Sequence, residues 1–85
     1  MEYGPQNLRV GIDIYSSDNH KIGTVDQVFP DHFLVKKGFI FTRDLYVPYS
    51  SLSRCEADKC FVNVTKDRID QMGWYQPPTG TRLGM

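Results

Sequence analysis

Two histidines and two cysteines are the residues of this chain that most often bind metal ions in proteins. His20 and His32 lie at opposite ends of a predicted strand, which places them roughly 25–30 Å apart if the strand is straight. Ligands of one zinc ion each lie about 2 Å from it, so this spacing argues against a shared site. We predict two histidines in polar turns, with no metal and no cofactor.

The two cysteines flank a predicted turn at Ala57–Asp58. Cys55 and Cys60 would face each other across a hairpin, with Cβ atoms about 4.5–5.5 Å apart. We expect two buried, reduced thiols, since cysteine is commonly a small core residue. A disulfide under oxidising conditions is the alternative. The pair lacks C-x-x-C spacing and a nearby histidine, which argues against a redox or cysteine-nucleophile enzyme.

The remaining polar residues do not form a catalytic motif. Ser50, Ser51 and Ser53 lack the G-x-S-x-G context of a hydrolase nucleophile. Gly23 and Gly38 are isolated, so no phosphate-binding loop is predicted. A chain of this length is also short for a deep, water-excluding cleft. We therefore predict that the protein is not an enzyme.

Composition limits the classes of partner. The chain has 85 residues, enough for one domain, and its 10 Lys and Arg balance its 10 Asp and Glu. Zero net charge argues against general nucleic-acid binding, which depends on phosphate neutralisation, and against electrostatic docking to membranes. The sequence has neither a run of about 20 apolar residues nor a signal-peptide pattern at its start. These features predict a cytoplasmic protein with no DNA or membrane partner.

The stretch 17–28 carries the strongest structural signal. Ile22, Val25 and Val28 recur every three residues, whereas one face of a regular strand recurs every two. They share a face only if a residue is bulged out or the segment is helical, and glycine favours a bulge, which we place at Gly23–Thr24. A two-residue primed turn at Asp18–Asn19 is predicted to precede this strand.

The other elements are short strands and one helix. Val10, Ile12 and Ile14 alternate in a first strand. Later strands are predicted over 32–36, 45–47, 52–56 and 59–64. Thr65 predicts the N-cap of a two-turn helix over 66–72. The fold class is therefore all-β, a small barrel of about six short strands over residues 8–72 with a short C-terminal helix, a flexible arm at 1–7 and an irregular tail at 73–85.

Three segments of this predicted barrel resemble the PRC-barrel family. They read KIGTV at 21–25, YVPYS at 46–50 and VNVTKD at 62–67. The resemblance covers about residues 8–72 and is greatest to small bacterial single-domain members of unknown function. It implies a PRC-like barrel and a role in protein binding, because related barrels act as docking domains in larger assemblies, including ribosome maturation and photosynthetic reaction centres.

A surplus of aromatic residues supplies the candidate interaction surface. Arginine beside aromatic rings is the composition favoured at the centres of protein interfaces. The predicted surface residues are Phe39, Phe41, Arg43, Tyr46, Tyr49, Trp74 and Tyr75. In the alternative interpretation Phe39 and Phe41 cover one open end of the barrel and Trp74 covers the other.

The sequence predicts a non-enzymatic docking or adaptor module with an unidentified protein partner, which a second copy of the chain would also satisfy. One alternative is an RNA- or ribosome-associated accessory protein that uses Lys36, Lys37 and Arg43 beside aromatic rings. The other is a small enzyme of unknown class, which would need a cleft holding an acid or base with a perturbed pKa.

Overall fold

The chain folds around one curled, six-stranded sheet that forms a half-barrel. The structure is a computed structural model, and it describes residues 3–37 and 43–76, apart from the side chain of Lys37. The strands are β1 (Asp13–Tyr15), β2 (Lys21–Val28), β3 (His32–Lys37), β4 (Leu45–Pro48), β5 (Leu52–Cys55) and β6 (Lys59–Val62). Three 3₁₀ helices span Pro5–Asn7, Tyr49–Ser51 (the corner helix) and Lys66–Gln71 (the C-terminal 3₁₀ helix). The predicted all-β class is confirmed.

The order of the strands is β4-β3-β2-β1-β6-β5, so β4 and β5 are the two edges. β1 to β4 form an antiparallel meander, and the β5–β6 hairpin returns to pair β6 with β1 in parallel. Only the three residues of the corner helix connect the two edges. Those residues reach about 14 Å at most, whereas the edges of a flat sheet of this size lie about 24 Å apart. The sheet must therefore curl.

β2 provides the bend, through two bulges. In the pairing of β2 with β1, Ile22 has no partner residue, and in the pairing of β2 with β3, Asp26 has none. Each bulge accounts for one three-residue gap, so Ile22 and Val25 are buried and Val28 packs at the border of the core. The predicted bulging of this strand is confirmed, but its predicted position at Gly23–Thr24 is wrong, because the bulges lie on either side of it.

Gly23 is needed for a different reason, the close approach of β2 and β3. A Cβ atom at this position would lie 2.2 Å from the carbonyl oxygen of Lys36 and 2.8 Å from Cγ1 of Val35. Real Cβ atoms do not come this close to a backbone oxygen, so only glycine allows the two strands to pair here.

The first strand is shorter than predicted. Val10 is 64% exposed, whereas Ile12 and Ile14 are buried as expected. Gly11 takes φ +101°, which interrupts the extended chain, so the alternation cannot continue back to Val10. The predicted start of the first strand at Val10 is therefore wrong, since β1 begins at Asp13.

The turn between β1 and β2 has three residues, not the two predicted. The amide of Asn19 donates to the carbonyl of Ser16 at 3.0 Å, and the amide of Ser16 donates to the carbonyl of His20 at 2.8 Å. Asn19 takes φ +71°, which asparagine tolerates better than most residues. This is the three-residue hairpin loop in which a left-handed residue follows a type I turn.

The core lies inside the curl and draws on both ends of the described chain. Phe33, Val35, Leu45 and Val47 line it from the β3–β4 side. Further core residues come from outside the sheet, namely Leu8, Ile69 and Trp74, with Tyr3 packed at the border. The core thus includes contacts from residues on both sides of the range 8–72.

Cys55 and Cys60 form a disulfide, so the expectation of two reduced thiols is wrong. They are paired residues of the β5–β6 hairpin. Its turn is the predicted one at Ala57–Asp58, closed by the amide of Glu56 donating to the carbonyl of Lys59 at 2.7 Å. Cys60 is fully buried and Cys55 partly exposed.

We predict that Gly23→Ala destabilises the fold by about 2–3 kcal/mol, because the new methyl group overlaps backbone atoms of β3. Gly11→Ala is the matched control. A Cβ atom at Gly11 would meet no other atom within 4 Å, but alanine is strained at the positive φ of this residue. We expect the free energy of unfolding to fall by about 1 kcal/mol. Urea unfolding measures both. An equal or smaller loss for Gly23→Ala would contradict the close approach of the two strands.

Reduction of the disulfide should lower the free energy of unfolding by about 2 kcal/mol, since the bond closes only a short loop. The measurement is the urea midpoint with and without dithiothreitol. The double variant Cys55→Ser/Cys60→Ala lacks the bond, so with and without dithiothreitol it should be less stable than the oxidised wild type. A wild-type midpoint that does not respond to the reductant would show that no such bond contributes.

Candidate interaction surface

The structure describes five of the residues predicted to form the interaction surface and separates them into two groups. Arg43 is exposed, and Tyr46 and Tyr75 are partly exposed. Tyr49 and Trp74 are 7% and 4% exposed and belong to the core. The predictions for Phe39 and Phe41 fall outside the described residues. We call Arg43, Tyr46 and Tyr75 the edge patch.

The edge patch forms because the chain after the C-terminal 3₁₀ helix folds back onto the edge strand β4. The amide of Tyr46 donates to the carbonyl of Trp74 at 2.7 Å. This bond fixes the segment with the Trp74 ring in the core, and the next residue, Tyr75, remains partly exposed. Arg43, two residues before β4, places its guanidinium 4.6 Å from the centre of the Tyr75 ring.

Tyr75 is held in place from two sides. Its hydroxyl donates to the carboxylate of Asp70, while the Arg43 guanidinium lies over its ring. Partial burial, together with the hydrogen bond and the negative charge of Asp70, raises the pKa of Tyr75 to about 12, although Arg43 acts in the opposite direction. The phenol therefore stays neutral at physiological pH, and the patch presents one cation on an uncharged ring.

Tyr49 anchors the corner helix. Its hydroxyl donates to the carbonyl of Phe29 at 2.6 Å, and its ring lies 5.5 Å from that of Phe33. Burial raises the pKa of the Tyr49 hydroxyl, and the charge of Asp31 adds to this effect. The residue holds the connection between the two edge strands and offers no free surface to a partner.

His32 is buried, so the prediction that it occupies a polar turn is wrong. It begins β3, is 6% exposed, and stacks on Phe29 with ring centres 4.7 Å apart. Its Nδ1 lies 2.7 Å from a carboxylate oxygen of Asp31. A carboxylate that orients an imidazole is also part of catalytic triads, but this ring serves as a packing surface between Phe29 and Tyr46.

Ser16, Asp18 and His20 have the residue types of a hydrolase triad but not its geometry. The Ser16 hydroxyl is fully buried. It donates to the Asp18 carboxylate and accepts from the backbone amide of His20 at 3.0 Å. The imidazole of His20 lies 3.9 Å from Asp18, so the carboxylate stands between the serine and the histidine. The cluster closes the first turn.

Asp18 also caps the C-terminal 3₁₀ helix. Its carboxylate accepts from the backbone amide of Lys66 at 3.1 Å, whereas the predicted cap, Thr65, makes no side-chain capping bond. The hydrogen bond from Ser16, and then that from Lys66, lower the pKa of Asp18 below 3.8, while desolvation opposes them. One carboxylate thus joins the first hairpin to an element almost fifty residues later in the chain.

Of the three cations predicted to bind RNA, the structure describes the side chains of Lys36 and Arg43. Lys36 is exposed on β3, Arg43 lies on the Tyr75 ring, and the side chain of Lys37 is outside the description. Within residues 3–37 and 43–76, no three histidine, cysteine or acidic side chains could share a metal ion. No helix in the described part of the chain is long and apolar enough to cross a membrane.

A second group of cations and rings, on the β1–β6–β5 side, was not predicted. The Arg54 guanidinium lies 4.1 Å from the centre of the Phe61 ring, and the Lys59 ammonium lies 5.1 Å from that of Tyr15. The turn at Ala57–Asp58 indicates that Arg54 opposes Phe61. The sequence gives no signal for the parallel pairing that brings Tyr15 beside Phe61.

No family model, curated protein or solved structure matches this chain. The resemblance to PRC barrels therefore rests on the three sequence segments alone.

The Asp18 link predicts a pH-dependent stability. A carboxylate whose pKa is lowered by folding stabilises the folded state at any pH above the pKa that it has in the unfolded chain. That stabilisation is lost as the pH falls through the pKa that the group has in the folded state. The stability advantage of the wild type over Asp18→Asn should be full at neutral pH and disappear as the pH falls below 3.8. Asp67→Asn, on the same helix, is the control. Its difference in stability from the wild type should change less with pH than that of Asp18→Asn. Equal profiles for the two variants would contradict the link.

Proposed function

We propose that the protein is a non-enzymatic protein-binding module of PRC-barrel type, which contacts its partner through the edge patch. The observation that supports this is the Arg43 guanidinium 4.6 Å above the ring of Tyr75, beside the edge strand. Arginine and tyrosine are enriched among the residues that contribute most to binding. Phe39 and Phe41 are proposed as further members of the same surface.

The anchoring of the patch favours binding energetically. A side chain that is already ordered loses little conformational entropy when a partner covers it, whereas each flexible one costs about 0.5–1.5 kcal/mol. Tyr75 is ordered by its bond to Asp70 and by Arg43 above its ring. A partner that covers this pair would gain ring contact and arginine hydrogen bonds at low entropic cost.

We propose that the protein acts in the cytoplasm, as its sequence predicts. Thiols are generally kept reduced in that compartment. The structure holds Cys55 and Cys60 as a disulfide, which persists in oxidising compartments. A cytoplasmic role would therefore mean that the β5–β6 hairpin works without its covalent link, while the edge patch lies on β4 at the other edge of the sheet.

We predict that Arg43→Glu weakens partner binding about tenfold or more, the loss expected for a residue at an interface centre. Affinity capture from native lysate would compare the wild type with Arg43→Glu and with the double variant Phe39→Ser/Phe41→Ser. Arg9→Glu is the matched control, because Arg9 is an exposed arginine outside the patch. Light scattering of the same four proteins measures self-association against the monomer mass of 9.8 kDa.

Three outcomes separate the alternatives. A protein retained by the wild type and Arg9→Glu but lost from both patch variants supports the proposal. A doubled mass that only the patch variants abolish identifies a second copy as the partner. Capture of ribonuclease-sensitive RNA, or of a protein that all four forms retain equally, would overturn the assignment of this surface.

A further inference from the structure

A small polar pocket lies on the β1–β6–β5 side of the sheet, away from the edge patch. Its volume is about 290 Å³, at the lower end of the range for ligand sites. It is lined by Ser17, Asn19, Ser53, Arg54 and Phe61. These residues come from the first turn and from both strands of the last hairpin, so the pocket exists only where the two hairpins meet.

Arg54 is pre-organised at this pocket. Its guanidinium is held 4.1 Å from the centre of the Phe61 ring, and its Nε lies 3.3 Å from the carboxylate of Glu56. The contact with Glu56 is made through Nε, at the side of the guanidinium. A guanidinium fixed through its Nε edge keeps its terminal N–H pair for a ligand, and that pair matches two oxygens of one oxyanion.

Two residues with neutral side-chain donors, Ser17 and Asn19, also line the pocket. The left-handed backbone of Asn19, at φ +71°, follows from the three-residue turn. The hydroxyl of Ser53 is already used, since it donates to the carbonyl of Phe61 at 3.2 Å. The pocket therefore offers one cation and two further donors.

The charge of the lining selects the class of ligand. The lining residues include one cation, Arg54, and no acid. The nearest printed negative charge is the Glu56 carboxylate, 3.3 Å from Nε of Arg54. Lys59, whose ammonium lies 5.9 Å from the centre of the Phe61 ring, adds a second positive charge nearby. We infer that this pocket binds a small oxyanion, a carboxylate or a phosphate, through the terminal nitrogens of Arg54 with Ser17 and Asn19 as additional donors.

This inference is independent of the edge patch. The pocket residues lie on the first turn, β5 and β6, whereas the patch lies at β4 and the segment after the C-terminal 3₁₀ helix. Loss of partner binding in Arg43→Glu would therefore leave anion binding intact, and the two proposals can fail separately.

The test is an NMR titration of the ¹⁵N-labelled chain with sodium phosphate and, separately, with sodium acetate, at constant ionic strength maintained with sodium chloride. We expect saturable shifts at Ser17, Asn19 and Arg54 with at least one of the two anions. Saturation with phosphate alone identifies a phosphate site, and saturation with acetate alone identifies a carboxylate site. Shifts with neither anion, or the same shifts with chloride alone, would overturn the inference.

Variants assign the binding to the pocket. Arg54→Gln should weaken binding about tenfold or more, as expected for loss of hydrogen bonds to a charged group. Lys36→Gln removes the same charge elsewhere and should have little effect. Because Arg54 also packs on Phe61, Asn19→Gly provides a second variant that keeps the positive φ and removes only the amide. Equal weakening by Arg54→Gln and Lys36→Gln, with none by Asn19→Gly, would mean general charge attraction and would refute the site.

Discussion

The short connection between the two edge strands constrains the whole structure. β4 and β5 occupy opposite ends of the sheet order, yet only Tyr49–Ser51 separate them in the chain. A flat sheet would need a connection about 24 Å long, and the corner helix cannot supply it. The sheet curls as a result, and the inside of the curl becomes the only place where the apolar faces can be buried.

Several local features make that curl feasible. The bulges at Ile22 and Asp26 bend β2 at the middle of the sheet, and Gly23 between them lets β3 approach. Tyr49 holds the corner through its bond to the carbonyl of Phe29. On the β1–β6–β5 side of the sheet, the Arg54 guanidinium covers the Phe61 ring.

The polar residues that resemble catalytic groups serve the fold in this molecule. Asp18 combines a bond from the buried Ser16 hydroxyl with the capping of the C-terminal 3₁₀ helix, and His32 packs its ring against Phe29. The two surfaces proposed to bind a partner or an anion include residues of the two edge strands. One joins Arg43 to an anchored tyrosine, and the other places Arg54 beside residues of the first turn.

The sequence by itself determined the local features: the all-β class, a bulged β2, the turn at Ala57–Asp58 and a strand that begins at residue 32. These depend on neighbours in the chain, through alternation, turn chemistry and glycine. The predicted turn placed Cys55 opposite Cys60, and the structure shows them joined as a disulfide. Only the tertiary structure decided the parallel pairing of β1 with β6, the capping of Lys66 by Asp18, and the burial of Trp74 and Tyr49. Each of these joins segments or side chains whose contact is set by the curl of the sheet, or by the space left in its core. No periodicity along the chain encodes such contacts. The pocket at Arg54, and the contact of Arg43 with Tyr75 within the predicted surface, therefore became visible only in the folded molecule.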